Sequence, residues 1–281
     1  MAYSALDRLQ LKVVGKVASL MMAMPAPREH HEQFRMTVVR AEWAGPHIRR
    51  ITFAAEEFTA YTVTGPDEYF GLIMPPPGEA EPVMPPERLN VRQAIQKMPA
   101  DRRPDLRWYT VRAHRPEAGE IDVDFILHGD AGPGSRWAGA AEPGWVAGFR
   151  AGGSSYRRAA PGERQLLVAD ETGMPALSAI LESLPAPAEG ITALVEVPGE
   201  SYRLPVTAAV EPRYLYRGEA PAGTLALPEL AGEPMADLGY AWVCGEAGLA
   251  SGVRRHLVKE RGVDRRRIMF SGYWKVGQAR L

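Results

Sequence analysis

Near residue 160 the apolar pattern of this 281-residue chain changes its period. Before that point, β-branched and aromatic residues come in short runs broken by turn residues. Met36 to Trp43 and Ile48 to Phe53 flank Gly45-Pro46, which predicts two strands joined by a turn. Tyr69 to Met74 reads as a further strand. In the segment from Ile121 to Leu127, the apolar Ile121, Val123, Phe125 and Leu127 alternate with Asp122 and Asp124, as in a half-buried antiparallel strand. After residue 160, short apolar runs alternate with helical spacing. Gln165 to Ala169 is a buried strand in pattern, and Asp170 to Met174 is a turn. Pro175 then opens a helix in which Leu177, Ile180, Leu181 and Leu184 share one face. Thr192 to Val197 and Tyr240 to Cys244 are further strands, and Leu249, Val253 and Leu257 mark the inner face of a helix from Glu246 to about Arg261. Arg267 to Tyr273 closes as a last strand. Strands alternating with helices imply a parallel sheet. The expected fold is therefore a small antiparallel β-barrel over residues 34–160, followed by a parallel-sheet α/β domain over residues 161–281.

Two segments fall outside this scheme. In residues 1–33, Leu6, Leu9, Val13, Val17 and Leu20 recur at helical spacing, while Asp7, Lys12 and Lys16 precede the apolar stretch Val17 to Ala26. An amphipathic helix packed on the body is expected, in preference to a secretory signal. Residues 75–104 carry eight prolines, including Pro75-Pro76-Pro77 and Pro85-Pro86, and read as a long surface excursion with a short helix around Val91 to Lys97.

Composition narrows the function. Hydrophobic residues make up 46% and charged residues 24%, which suits a folded globular protein. A net charge of −1 argues against a protein built to bind nucleic acid. No apolar run is long enough to span a bilayer. The single cysteine, Cys244, forms no intramolecular disulfide, and no Cys/His cluster has metal-site spacing. A reducing compartment, the cytoplasm, is expected. At the end of an apolar strand, Cys244 reads as a small buried side chain and not as a redox thiol.

Two stretches hold the chemistry. Arg107-Trp108-Tyr109-Thr110-Val111-Arg112 places arginine, an aromatic and a hydroxyl on neighbouring strand positions. Such a strand suits a flavin, with a ring along the isoalloxazine, a hydroxyl for its polar edge and a guanidinium for phosphate. The same pattern also suits an ordinary surface strand. His128-Gly129-Asp130-Ala131-Gly132-Pro133-Gly134-Ser135-Arg136-Trp137-Ala138 lets backbone approach an anion closely, with Ser135 and helix N-terminal amides as donors. Taken alone, it is also a common glycine-rich turn.

Together these stretches resemble the siderophore-interacting protein family, whose architecture is ferredoxin-reductase-like. Arg107 to Arg112 is similar to the family's Arg-x-Tyr-Thr-Val-Arg signature. Asp124 to Trp137 resembles its Asp-Phe-x-Leu-His-Gly and Gly-Pro-x-Ser-x-Trp stretch, and Ala169 to Ala176 its Asp-Glu-Thr-x-x-Pro-Ala turn. Trp242 to Glu246 and Ser271 to Trp274 resemble two more family segments. The resemblance runs through most of the chain from Phe34 onward. It implies an FAD-dependent reductase of ferric siderophores. It implies FAD contacts from Arg107, Tyr109, Thr110 and Val111, with Asp124 and His128 nearby and Gly134, Ser135 and Trp137 at the pyrophosphate. Asp170, Glu171, Thr172 and Glu246 would line a cleft between the domains, although such carboxylates also suit helix N-termini. Lys275, beside Tyr273 and Trp274, would hold the ferric complex. No protein iron ligand is required, because reduction itself loosens the siderophore's hard oxygen donors.

Several points depart from the family or stay open. Gly71 stands where the family often carries a lysine, and the turn Ala151-Gly152-Gly153-Ser154 is looser than the family's Gly-Pro form. The turn Asp170 to Pro175 lacks the Gly-x-Gly-x-x-Gly fingerprint, which leaves NADPH, NADH and ferredoxin all as donors. Arg254, Arg255, Lys259, Arg265, Arg266 and Arg267 either reach a cofactor phosphate or form a solvated face. The alternative functions are a general flavin reductase with another acceptor and a non-catalytic siderophore carrier.

Overall fold

The computed structural model describes residues 19–23, 28, 30–127 and 132–277. The chain divides into two compact units between Ser154 and Ser155, and residues 19–23 belong with the second. The first holds an antiparallel sheet and the second a parallel one. Among the described residues, no helix is long and apolar enough to cross a membrane.

The first unit contains seven strands: β1 (Gln33–Gly45), β2 (Ile48–Ala54), β3 (Tyr69–Met74), β4 (Asp105–Thr110), β5 (Ala113–Arg115), β6 (Glu120–Ile126) and β7 (Val146–Gly153). They lie in the order β4-β3-β7-β1-β2-β6-β5. The sheet curls on itself. The Tyr109 ring on β4 lies 4.3 Å from the Phe125 ring on β6, although four strands separate β4 from β6 in the order. Just past β4, Arg112 N donates to Asp122 O at 2.8 Å. Inside the curl, Phe149 is fully buried and is stacked between Phe34 at 4.9 Å and Phe70 at 4.8 Å. Phe58 and Tyr61 meet its edges, each at 5.2 Å. This aromatic cluster is the payload that closes the barrel.

Helix α1 (Val91–Gln96) sits in the proline-rich excursion. Asn90 caps it by accepting from Gln93 N at 3.0 Å, and Val91 and Ile95 bury against Ile73 and Leu106. The excursion is thus pinned by a small satellite core. Helix α2 (Pro133–Ala140) follows β6.

Two expectations for this unit need correction. The strand β6 is not half-buried, because Asp122 and Asp124 are also buried, at 9% and 3% exposure. Their charges are met by arginines from elsewhere in the sequence: Arg115 pairs with Asp122 at 2.6 Å and Arg50 with Asp124 at 2.7 Å. The segment Ala151–Gly153 is strand and not turn. It needs glycine because a Cβ on Gly152 would stand 2.4 Å from the Tyr69 ring.

The second unit contains β8 (Arg164–Asp170), β9 (Ile191–Val197), β10 (Arg213–Tyr216), β11 (Leu238–Glu246) and β12 (Ile268–Trp274). All pairs are parallel, in the order β10-β9-β8-β11-β12. The helices are α3 (Met174–Glu182), α4 (Ala226–Gly232) and α5 (Ala247–Lys259). Every residue of β11 is buried, as expected of a central parallel strand. Cys244 lies there, fully buried.

The proposed N-terminal helix lies mostly in residues 1–18, outside the described residues. Leu20, expected on its packed face, is 57% exposed. Ala23 N donates to Ile268 O at 3.0 Å, and Arg254 donates to Met21 O at 3.2 Å.

Phe149→Ala should destabilise the first unit by about 3–5 kcal/mol, the cost of a large cavity in an aromatic core. Urea unfolding followed by near-UV circular dichroism measures it, and a loss below about 1 kcal/mol would contradict this account of the core.

Candidate functional site

Two clusters of the expected residues form, one in each unit. In the barrel, β4 and α2 meet. Gly134, in the first turn of α2, lies so close to β4 that a Cβ there would stand 2.1 Å from the Tyr109 hydroxyl and 3.6 Å from Arg107 Cγ. The structure thus brings Arg107, Tyr109 and Gly134 together. Ser135 is half-buried in the same turn. Arg107 is partly exposed, and its Nη1 donates to Leu106 O at 2.7 Å. Thr110 is buried, and Val111 is a core residue. Desolvation pushes the Tyr109 phenol above its ordinary pKa of 10, so it stays a neutral hydroxyl.

Among the described residues, no side chain caps the start of α2. Its N-cap, Gly132, is extended and offers no side-chain cap. Pro133 has no N–H, so the amides of Gly134 and Ser135 are the available first-turn donors. Trp137 is buried at 8% exposure and stacks on Phe53 at 6.0 Å. Its indole Nε1 has no hydrogen-bond partner among the described residues. A buried donor left without a partner is costly, and a ligand oxygen would remove that cost. Glycine cradle, uncapped helix start, unpaired indole and nearby guanidinium, as found among the described residues, together suit a phosphate-bearing ligand.

Asp124 does not face such a ligand freely. Its side chain is fully buried and accepts from Arg50 at 2.7 and 2.8 Å, with Arg112 at 3.5 Å. It positions guanidinium groups. Sequence reasoning did not find Arg50, because nothing local ties it to a residue 74 positions away. His128 lies outside the described residues.

In the second unit the expected residues gather at the carboxyl ends of the strands. Asp170 ends β8 and is fully buried. One oxygen, Oδ1, accepts from Thr172 N at 2.8 Å, Thr172 Oγ1 at 2.6 Å and Gly173 N at 3.1 Å. The other, Oδ2, accepts from Glu246 N at 2.7 Å and Trp274 Nε1 at 3.0 Å. Burial, with the Glu171 charge beside it, raises the Asp170 pKa to about 6. Glu171 makes a bidentate pair with Arg217, both bonds at 2.7 Å. Arg217 carried no signal in the sequence, since it follows a strand too short to stand out. Glu246 caps α5, accepting from Gly248 N and from Leu249 N at 3.1 Å. Tyr273 is half-buried and Lys275 exposed.

Three of the six basic residues late in the chain have partners within this unit. Arg254 lies over the Phe270 ring at 4.7 Å. Arg266 pairs with Asp264, and Arg267 donates to Leu238 O at 3.0 Å.

Residues 37–155 match the siderophore-interacting FAD-binding domain, and residues 162–277 match the siderophore-interacting protein domain. The chain belongs to the siderophore-interacting protein family. It is 26% identical over 244 residues to the ferric vibriobactin reductase ViuB of Vibrio cholerae, covering 85% of this chain and 88% of that one. A siderophore utilization protein from T. fusca superposes with a TM-score of 0.75 at 31% identity, covering 89% of this chain and 95% of that one. The ferredoxin reductase of carbazole 1,9a-dioxygenase, at 14% identity and a TM-score of 0.59, covers 88% of this chain and 71% of that one and shares the fold. The family's ferredoxin-reductase-like fold is thus present in this member, with its antiparallel and parallel sheets in the expected order.

Two tests follow. Gly134→Ala should cost about 1–3 kcal/mol through its clash with Tyr109. Adding Tyr109→Phe, which removes the clashing oxygen, should restore most of that loss in thermal unfolding. A double variant no more stable than Gly134→Ala alone would contradict the close packing. For Asp170, the folded pKa lies above the unfolded value of 3.8, so its contribution is present below that value and is lost as pH rises through 6. The stability of the native protein relative to Asp170→Asn should therefore fall between pH 4 and 6 and be level above about 7. Urea midpoints of both proteins across that range provide the check, and a constant gap would contradict the shift.

Proposed function

We propose that this family member is an FAD-dependent reductase of ferric siderophores. One observation carries the reading: the Arg107, Tyr109 and Gly134 cradle at the open start of α2, with the unpaired Trp137 indole beside it in sequence. When bound, FAD supplies the redox chemistry, taking up two electrons from a reductant and passing them singly, each reducing one Fe(III) to Fe(II).

The chain's own residues bind and orient. The Gly134 and Ser135 amides hold the pyrophosphate, helped by the dipole of α2. Arg107 supplies a fixed positive charge to the same anion. Trp137 Nε1 donates to a cofactor oxygen. Tyr109, held by Phe125 behind it, lines the flavin, and Thr110 meets its polar edge. Asp124 keeps Arg50 and Arg112 in place. His128 is assigned to the adenosine part on the resemblance alone. Lys275, with Tyr273 and Trp274, attracts the anionic ferric complex. Trp274 is the better fixed of the three, because Asp170 holds its indole. The likeness to ViuB, a ferric vibriobactin reductase, supports a ferric siderophore as the acceptor. Either a nicotinamide nucleotide or a ferredoxin serves as the reductant.

The test is anaerobic. The purified full-length protein, incubated with FAD, should show a flavin spectrum that bleaches with dithionite. After removal of excess dithionite, a ferric siderophore should restore the oxidised spectrum while a chromogenic chelator traps Fe(II). Protein that takes up no flavin, or reduced flavin that ferric siderophore does not reoxidise, would sink the reading. Lys275→Glu should raise the KM for an anionic ferric siderophore by about fivefold at low salt with unchanged FAD content. An unchanged KM would remove Lys275 from the substrate site.

A further inference from the structure

In an open α/β sheet, a ligand's phosphates sit outside the carboxyl ends of the strands, where the strand order reverses, against the N–H groups that enter the next helix. In the order β10-β9-β8-β11-β12, that reversal lies between β8 and β11. Asp170 is the last residue of β8, and Glu246 the last of β11. The N–H groups that would face a pyrophosphate there are those of Thr172 and Gly173, entering α3, and of Glu246, entering α5. All three donate to the Asp170 carboxylate, at 2.8, 3.1 and 2.7 Å.

The carboxylate also fills the space. Gly245 has φ +150°, and a Cβ on it would stand 2.6 Å from Asp170 Cγ. Pro175 takes one further N–H from the first turn of α3. At the start of α5, Glu246 accepts from Gly248 N and Leu249 N. One strand over, Glu196 at the sheet's carboxyl edge accepts from Gly223 N at 3.0 Å and Ala226 N at 2.8 Å, at the start of α4. Acceptors of this unit's own chain thus satisfy the donors that a dinucleotide would use.

We infer that Asp170 is a specificity-determining residue: its carboxylate is a built-in anion in the phosphate seat of the parallel sheet, and it keeps the pyrophosphate of a nicotinamide dinucleotide out of that seat. The inference rests on the reductase reading for its consequence, since it concerns how that enzyme meets its reductant. A nicotinamide donor is then held through other parts of the molecule and weakly, or the reductant is one that brings no pyrophosphate.

The experiment uses the full-length chain, isotope-labelled for amide NMR, with inorganic pyrophosphate and NADH as probes. In the native protein the Thr172, Gly173 and Glu246 amide resonances should stay in place under millimolar amounts of either probe. In Asp170→Gly the carboxylate is gone, Gly173 N keeps its bond to the residue 170 carbonyl at 3.1 Å, and four other donors face an emptied seat, so the Thr172 and Glu246 amides should shift and saturate. Pyrophosphate should bind that variant about tenfold more tightly than the native protein. Shifts of these amides in the native protein would overturn the inference, as would a folded Asp170→Gly with no gain in pyrophosphate affinity. If that variant fails to fold, the native titration decides alone. The dithionite assay needs no nicotinamide, so a failed reductase reading is distinguishable from a failed phosphate-seat inference.

Discussion

A single carboxylate holds the carboxyl edge of the parallel sheet together. Asp170 receives five hydrogen bonds from three places in the chain: the turn after β8, the end of β11 and the end of β12. An isolated buried charge would cost several kcal/mol, and dense donation at the mouths of two helices offsets that cost. The same network sets side chains that matter elsewhere. It fixes the Trp274 indole, it anchors the backbone of Glu246, and its charge lies beside the Glu171–Arg217 pair. The raised pKa of Asp170 records the balance: burial pushes it up and the donors pull it back.

The barrel solves a related problem with absent side chains. Gly134 and Gly152 sit where a Cβ would strike Tyr109 or Tyr69. At each position, backbone meets an aromatic ring at a distance only glycine permits. The first approach brings a helix start against the strand that bears Arg107. The second lets Tyr69 lie across β7 and against Trp108, with ring centroids 5.5 Å apart. Gly71 belongs to the same pattern, since a Cβ there would stand 2.8 Å from Leu106. A lysine at that place would have to displace Leu106, and the strand beneath instead carries the buried Arg150, whose guanidinium donates to His31 O and Arg88 O.

Much of the fold was legible in the sequence because it rests on local period. The alternation in β6, the i, i+3, i+4 spacing of α3 and the apolar run of β11 are each written within ten residues. The short elements β5, β10 and α4 were not found, nor was β7, whose end reads as a turn. They owe their conformation to neighbours and not to their own pattern. The burial of Asp122 and Asp124 was missed for another reason. Alternation shows which residues share a face, but not that Arg50 and Arg115 will cover the polar one. At the site, residue types in the motifs were legible and partners were not. Asp170, Glu171 and Glu246 stood out through the family motifs that contain them. That each of them is spoken for by the chain itself depends on contacts such as Arg217, 46 residues from Glu171.

The two units therefore treat anions in opposite ways, and the difference lies in how each satisfies its helix starts. In the barrel, among the described residues, α2 begins at a glycine without a side-chain cap and an indole donor nearby in sequence is left unpaired. In the α/β unit, carboxylates from the ends of β8, β9 and β11 accept from the backbone at the starts of α3, α4 and α5. Backbone donors must be paired with something, whether ligand, water or side chain. A helix start left open is available to a phosphate, and one filled by an aspartate is not. The aspartate that closes this seat is also the one that ties β8, β11 and β12 together there, so in this unit the refusal of an anion and the stability of the sheet edge rest on the same carboxylate.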